Sequence, residues 1–181
     1  MTNFFSLYDR LAARLAEIMP CVLPLLARFT FAAVLLGYFW NSARTKLGEG
    51  ILGVLHPSDG AYVQIFPKAA EAAGYDVSQL GAFQWAVVTG GTLAELILPL
   101  LIVLGLFTRL AALGMIGFTV VQSLTDVWGH GIGGDDLGRW FDAASGSLIV
   151  DQRSLWVFLC LTLVFTGAGP FSLDRMLARH R

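Results

Sequence analysis

The chain has 181 residues, of which 56% are hydrophobic and only 14% charged, with a net charge of −1. That length makes a single domain over residues 1–181 the default, and the apolar excess argues against an ordinary soluble domain, which carries roughly 25% charged residues. The near-neutral balance points away from nucleic acid, and two distant cysteines, Cys21 and Cys160, with no Cys-x-x-Cys provide neither a disulfide framework nor a dithiol redox centre.

In chain order, apolar groups at Phe4, Tyr8, Leu11, Leu15 and Ile18 recur at steps of four and three, a helical stripe from which Asp9, Arg10, Arg14 and Glu17 fall away. The pattern predicts an amphipathic helix over 1–19 lying at a membrane interface, or else docking onto a partner. Acids in this segment, and Arg28 inside the apolar run that follows, are wrong for a cleavable signal peptide. Pro20 and Pro24 mark a helix start or bend. Four membrane spans are then predicted, at about 21–40, 84–106, 110–128 and 154–171. Twenty helical residues cover roughly 30 Å, the thickness of the hydrocarbon layer. Only Phe107, Thr108 and Arg109 join the second and third, which forces an antiparallel hairpin. Gly90, Gly91, Gly114 and Gly117 are expected to let helices approach closely. The fold class expected is therefore all-α: a four-helix membrane bundle with an N-terminal interfacial helix and two long outer loops. In the first loop, Pro67 through Gly74 reads as a short helix.

Charge sets the expected topology. The N-terminus, the short link and the C-terminus carry six bases, Arg181 among them, against three acids, whereas the two long loops carry five bases against nine acids. Bases favour the cytoplasm, so both termini are expected on the cytoplasmic side of a bacterial inner membrane. All five tryptophans then fall at or near the other side, as an aromatic belt or as the rim of an outward-facing cavity.

Arg28 and Glu95 interrupt apolar spans, where an ionisable group is costly and normally faces a partner inside the bundle. Their expected depths differ by roughly 6 Å, which an extended arginine bridges, so an Arg28–Glu95 pair is predicted, either fixing register or forming the charged element of a proton, quinone or substrate site. Arg44 and Lys46 just after the first span read as headgroup anchors or as a site for a polar head. Asp151 and Arg153, just before the fourth span, are each expected to pair with loop or rim charges, where an exposed pair is worth little. His56 lies in the first loop. His130 with Asp135 and Asp136 is the weak candidate for a metal site, at a spacing that matches no specific ligand pattern. No span holds a histidine, which argues against a bis-histidine haem, and no P-loop or Gly-x-Gly-x-x-Gly suggests a nucleotide.

Four stretches resemble the DoxX family of small bacterial and archaeal membrane proteins. They are Leu26-Ala27-Arg28 followed by Gly37; Lys46-Leu47 after the first span, with Asn41-Ser42-Ala43 where a glycine is common; Gly105-Leu106-Phe107-Thr108-Arg109-Leu110-Ala111-Ala112, with Glu95 upstream; and Gly167 through the Ser172-Leu173-Asp174 ending. Val150-Asp151-Gln152-Arg153 looks like one branch of the family. The resemblance covers about residues 22–178. It implies a four-helix membrane bundle and carries over Arg28, Lys46, Glu95 and Arg109 as matching positions. Named members of the family resemble subunits of a thiosulfate:quinone oxidoreductase or parts of membrane complexes handling oxidative stress. The function expected is a redox-associated membrane subunit with a quinone or small-molecule site between the Arg28–Glu95 pair and a rim of Lys46, Trp40 and Trp85. A non-enzymatic assembly protein, bound to a protein partner or a second copy, and a small transporter or channel are the alternatives.

Overall fold

The computed structural model describes residues 2–50 and 52–179, with the side chains of 2–4 left out; Phe4 of the amphipathic stripe and Arg181 of the topology count therefore lie outside the described side chains. Every regular element among the described residues is helical. The chain opens with one unbroken helix, α1 (Thr2–Phe31), which widens into a π turn (Ala32–Leu36) and continues as α2 (Gly37–Lys46). The expected interfacial helix is thus not a separate element; its residues are the first turns of α1. Each proline removes one backbone hydrogen bond without ending the helix, and Pro24 is fixed by packing, since a Cβ at Gly169 would sit 3.0 Å from its ring.

The sequence explains the π turn. Ala27, Phe31, Leu35, Phe39 and Ala43 are buried, each four residues after the last. An α-helix repeats every 3.6 residues, so such a stripe drifts around the axis, and one wider turn offsets the drift. The stripe stays on the core, where it meets Ile102, Ala112, Met115, Cys160 and Leu163.

Two short helices, α3 (Asp59–Ile65) and α4 (Pro67–Ala72), fold over the end of the bundle. Next come α5 (Ala82–Leu104) and α6 (Thr108–Leu124), the latter ending in a second π turn (Thr125–Gly129). The short α7 (Gly134–Leu137) precedes α8 (Val150–Thr166), and α9 (Leu173–Ala178) closes the described chain. The fourth apolar helix ends earlier than the predicted 171, because Gly167 and Gly169 adopt positive φ ahead of Pro170. It packs chiefly on α6 and also on α1.

Three stretches, Phe5–Lys46, Ala82–Leu104 and Thr108–Gly129, are long and apolar enough to cross a membrane. Only 22–33% of an apolar 18-residue window in each is buried, so much of their apolar surface faces outward and needs hydrocarbon around it. The tryptophans differ in their packing. Trp156 packs inward, 5.1 Å from Tyr38 and 5.9 Å from Phe39 between ring centroids, whereas Trp128 and Trp140 are exposed.

Candidate functional site

Charged groups are tucked into both ends of the bundle, half-buried at one and buried at the other. At the end that carries the termini, Arg28 does not meet Glu95. Its guanidinium donates to four backbone carbonyls: Ile102 at 3.0 Å and Val103 at 2.6 Å on the last turn of α5, and Ala168 at 2.9 Å and Phe171 at 2.6 Å after α8. The last carbonyls of a helix lack amide partners, and a cation placed there also opposes the helix dipole. Asp174 does the converse for α6: its carboxylate accepts from the amides of Phe107 at 2.7 Å and Thr108 at 3.0 Å, and its own amide donates to Gly105. Gly105 has φ +70°, and a Cβ there would lie 2.6 Å from Ser172 and 2.8 Å from the Arg28 guanidinium. The Gly-Leu-Phe-Thr-Arg link and the Ser-Leu-Asp ending are therefore two halves of one clasp. Arg109 lies beside Gly167 at the same end, its Nε 3.4 Å from where a Cβ would stand.

At the other end Glu95, on α5, pairs with Lys46, on α2. The Lys46 ammonium donates to both carboxylate oxygens at 3.0 Å and to Ser42 Oγ at 2.6 Å, and Ser42 Oγ donates to Glu95 at 3.0 Å. Lys46 is 5% exposed and Glu95 2%, so the pair is desolvated and its hydrogen bonds are what make burial tolerable. The expected Arg28–Glu95 pair is corrected on this point. Lys46 extends one turn back toward Ser42 along α2, while Arg28 is drawn to the uncapped carbonyls at the far end of α5. Arg44, two residues earlier on the helix, faces outward and is exposed.

A second buried pair stands nearby. Arg153, on the first turn of α8, donates to Asp126 in the π turn after α6 and, at 3.0 Å, to Ser123 Oγ. Arg153 thus meets one of the acids at the rim, as expected, but in a largely desolvated pair and not an exposed one. Asp151 instead accepts from the Ser147 amide at 2.9 Å while Ser147 Oγ accepts from the Asp151 amide, a reciprocal cap on α8.

Lys46, Glu95, Asp126 and Arg153 all line one cavity of about 510 Å³ between α2, α5 and α6. Its aromatic walls are Tyr38 and Phe118, and Gln64 and Ile65 of α3 close its top. The glycines expected to bring helices together divide into two kinds. A Cβ at Gly114 would be 3.0 Å from Leu98, a true close approach, but at Gly90 and Gly117, which line the cavity, it would meet nothing within 4 Å. Trp40 and Trp85 serve other ends. The Trp40 indole donates to the Leu96 carbonyl at 3.2 Å, beside the gap that Pro99 leaves in the hydrogen bonding of α5. The Trp85 indole donates to the Leu55 carbonyl at 2.8 Å and ties down the first loop. His130 Nε2 lies 2.8 Å from the Gln64 carbonyl oxygen, joining the second loop to α3. Asp135 and Asp136 sit in the first turn of α7, and no group of three or more His, Cys, Asp or Glu at metal-binding spacing occurs among the described residues.

Sequence reading named Lys46 and Glu95 but missed Ser42 and the Asp126–Arg153 pair. A signal was present: Asp126 ends one apolar run, Arg153 starts the next, and antiparallel packing sets such residues side by side. No curated protein and no solved structure matches the chain. The DoxX family model matches residues 23–128, more than half of the chain and a stretch that holds the whole cavity wall except Arg153, α3 included. With apolar helices facing outward around a charged interior, the chain belongs to the DoxX family of membrane proteins.

Proposed function

We propose that this DoxX-family protein is a redox-associated subunit of a bacterial inner membrane, with a quinone or quinone-sized molecule bound in the cavity between α2, α5 and α6. The observation that carries this reading is the convergence of two buried ion pairs and two aromatic rings on one cavity of about 510 Å³, within the range of small-molecule sites. A quinone head needs donors at its carbonyls and flat apolar neighbours. The Tyr38 hydroxyl, which accepts from Gln122, and Arg153 Nε, buried with no hydrogen-bond partner, supply donors, Tyr38 and Phe118 the rings, and Glu95 a carboxylate within reach for proton exchange. Arg28, Trp40 and Trp85 have no part in this site.

In the same reading α8 crosses the membrane as the fourth helix, and the first turns of α1 rest at the cytoplasmic interface. Two of the five bases assigned to the loops, Lys46 and Arg153, are taken up in ion pairs inside the bundle. Arg44, Lys68 and Arg139 are left there against six bases at the terminus end, which supports cytoplasmic termini.

The test is extraction of small molecules from protein purified in mild detergent, read by mass spectrometry and absorbance. Quinone is expected from the wild type and not from a folded Lys46→Met/Glu95→Leu variant. Well-folded wild type free of quinone overturns the reading and favours the assembly role, to which the exposed stripe of Tyr8, Leu11, Leu15 and Ile18 on α1 lends itself. A partner pull-down would then follow.

A further inference from the structure

We propose that the cavity is entered sideways, between α5 and α6, by an uncharged amphiphile whose polar head rests against Tyr38 and Arg153 and whose linear apolar tail passes out between Gly90 and Gly117. This rests on the cavity being a binding site but not on the head being a quinone. Gly90, Gly117 and Val121 line the cavity and are all exposed, unlike Glu95 and Lys46 deeper in its wall, so the cavity opens where they stand. The opening has a defined lower edge at Leu98 and Gly114, where the two helices touch. Glycine within a helix costs about 1 kcal/mol relative to alanine. At Gly90 and Gly117 no close packing offsets that cost, because a Cβ would meet nothing within 4 Å; what the missing side chains provide is the passage.

The route along the bundle axis is covered. Gln64 and Ile65 roof the cavity, the His130 ring holds the Gln64 carbonyl, and a Cβ at Gly129 would lie 3.0 Å from Pro67, so the second loop is seated against the start of α4. The side opening lies some eight to twelve residues in from the loop-bearing ends of α5 and α6, or roughly 12–18 Å at 1.5 Å per residue. In a bilayer that is hydrocarbon, which admits a tail and not a hydrated solute. Lys46 is paired with Glu95 and Arg153 with Asp126, so the interior presents no net charge and selects an uncharged head.

The experiment embeds the wild-type protein in phosphatidylethanolamine–phosphatidylglycerol vesicles with a trace of a long-chain alcohol carrying a diazirine on its chain. After irradiation, adducts are mapped by peptide mass spectrometry. Adducts are expected on the cavity-side residues Ala94 and Phe118 as well as on the outward-facing Leu110 and Leu113. In Gly117→Leu, and independently in Gly90→Leu, the cavity-side adducts fall about tenfold, the scale of one overpacking penalty, while those on Leu110 and Leu113 stay unchanged. Adducts confined to outward-facing residues, or cavity adducts indifferent to both substitutions, overturn the proposal. Cavity adducts in a protein that yields no quinone keep the side entrance and remove the quinone. Extracted quinone without cavity adducts does the reverse.

Discussion

The two ends of the bundle use their charged residues differently. At the terminus end, Arg28 and Asp174 give their hydrogen bonds to backbone: one closes the carbonyl end of α5, the other the amide end of α6. At the loop end, Lys46, Glu95, Asp126 and Arg153 bond to side chains across helices and line a cavity. The first arrangement satisfies groups that any helix end leaves open, so its chemistry is exhausted by folding. In the second, the charges hold helices around an empty volume, and function is to be sought there. The Gly-Leu-Phe-Thr-Arg link thus belongs to the clasp and not to the cavity.

Substitutions sharpen that contrast. The largest effect is expected from Arg28→Ala, which removes a charged donor from four carbonyls at once. At the low end of about 1–3 kcal/mol for each group left unpaired, because three of the contacts are only part-buried and one is exposed, the loss is on the order of 4 kcal/mol. A thermal unfolding midpoint close to wild type would show that the clasp is dispensable. Lys46→Ala comes next, at about 3–4 kcal/mol, the lower part of the range for a broken buried pair, because Ser42 still donates to Glu95. The Lys46→Met/Glu95→Leu double variant should recover most of that stability, since removing both charges also removes their desolvation cost. No comparable rescue exists for Arg28, whose partners are backbone. If the double variant were as unstable as Lys46→Ala, the loop-end pair would belong with the clasp as a purely structural element.

The smallest effect lies outside the membrane. Hydrogen bonds from the Ser78 hydroxyl and from Gln79 hold the Asp76 carboxyl below the ordinary aspartate range. A carboxyl depressed in the folded state contributes stability above its unfolded pKa and loses it as pH falls through the folded value. Asp76→Ala should therefore narrow the stability difference between neutral and strongly acidic pH slightly, with no change in ligand content. A large effect at neutral pH in the unfolding curves would contradict the exposed setting of this carboxyl.

Some of this was written in the sequence. Runs of apolar residues defined α5 and α6 within a few positions, because a helix that must satisfy every backbone group in hydrocarbon leaves an unmistakable apolar stretch. Arg28 and Glu95 stood out for the same reason: charge inside such a run is costly and needs a partner, whereas Lys46, just past the first run, read only as a headgroup anchor or rim residue. What composition and spacing could not decide was which partner. By the predicted spans Arg28 was within reach of Glu95 while Lys46 lay beyond the end of its span at the rim; the partner is nevertheless Lys46, because α2 runs on to that residue and packs against α5, while Arg28 faces the uncapped end of α5. Nor could spacing tell the two kinds of glycine apart. Gly114 and Gly117 are three residues apart on one helix, yet one is pressed against Leu98 and the other faces open space. Linear periodicity gives the face of a helix, but the distance between two faces is set by how the helices diverge, and only the tertiary structure carries that.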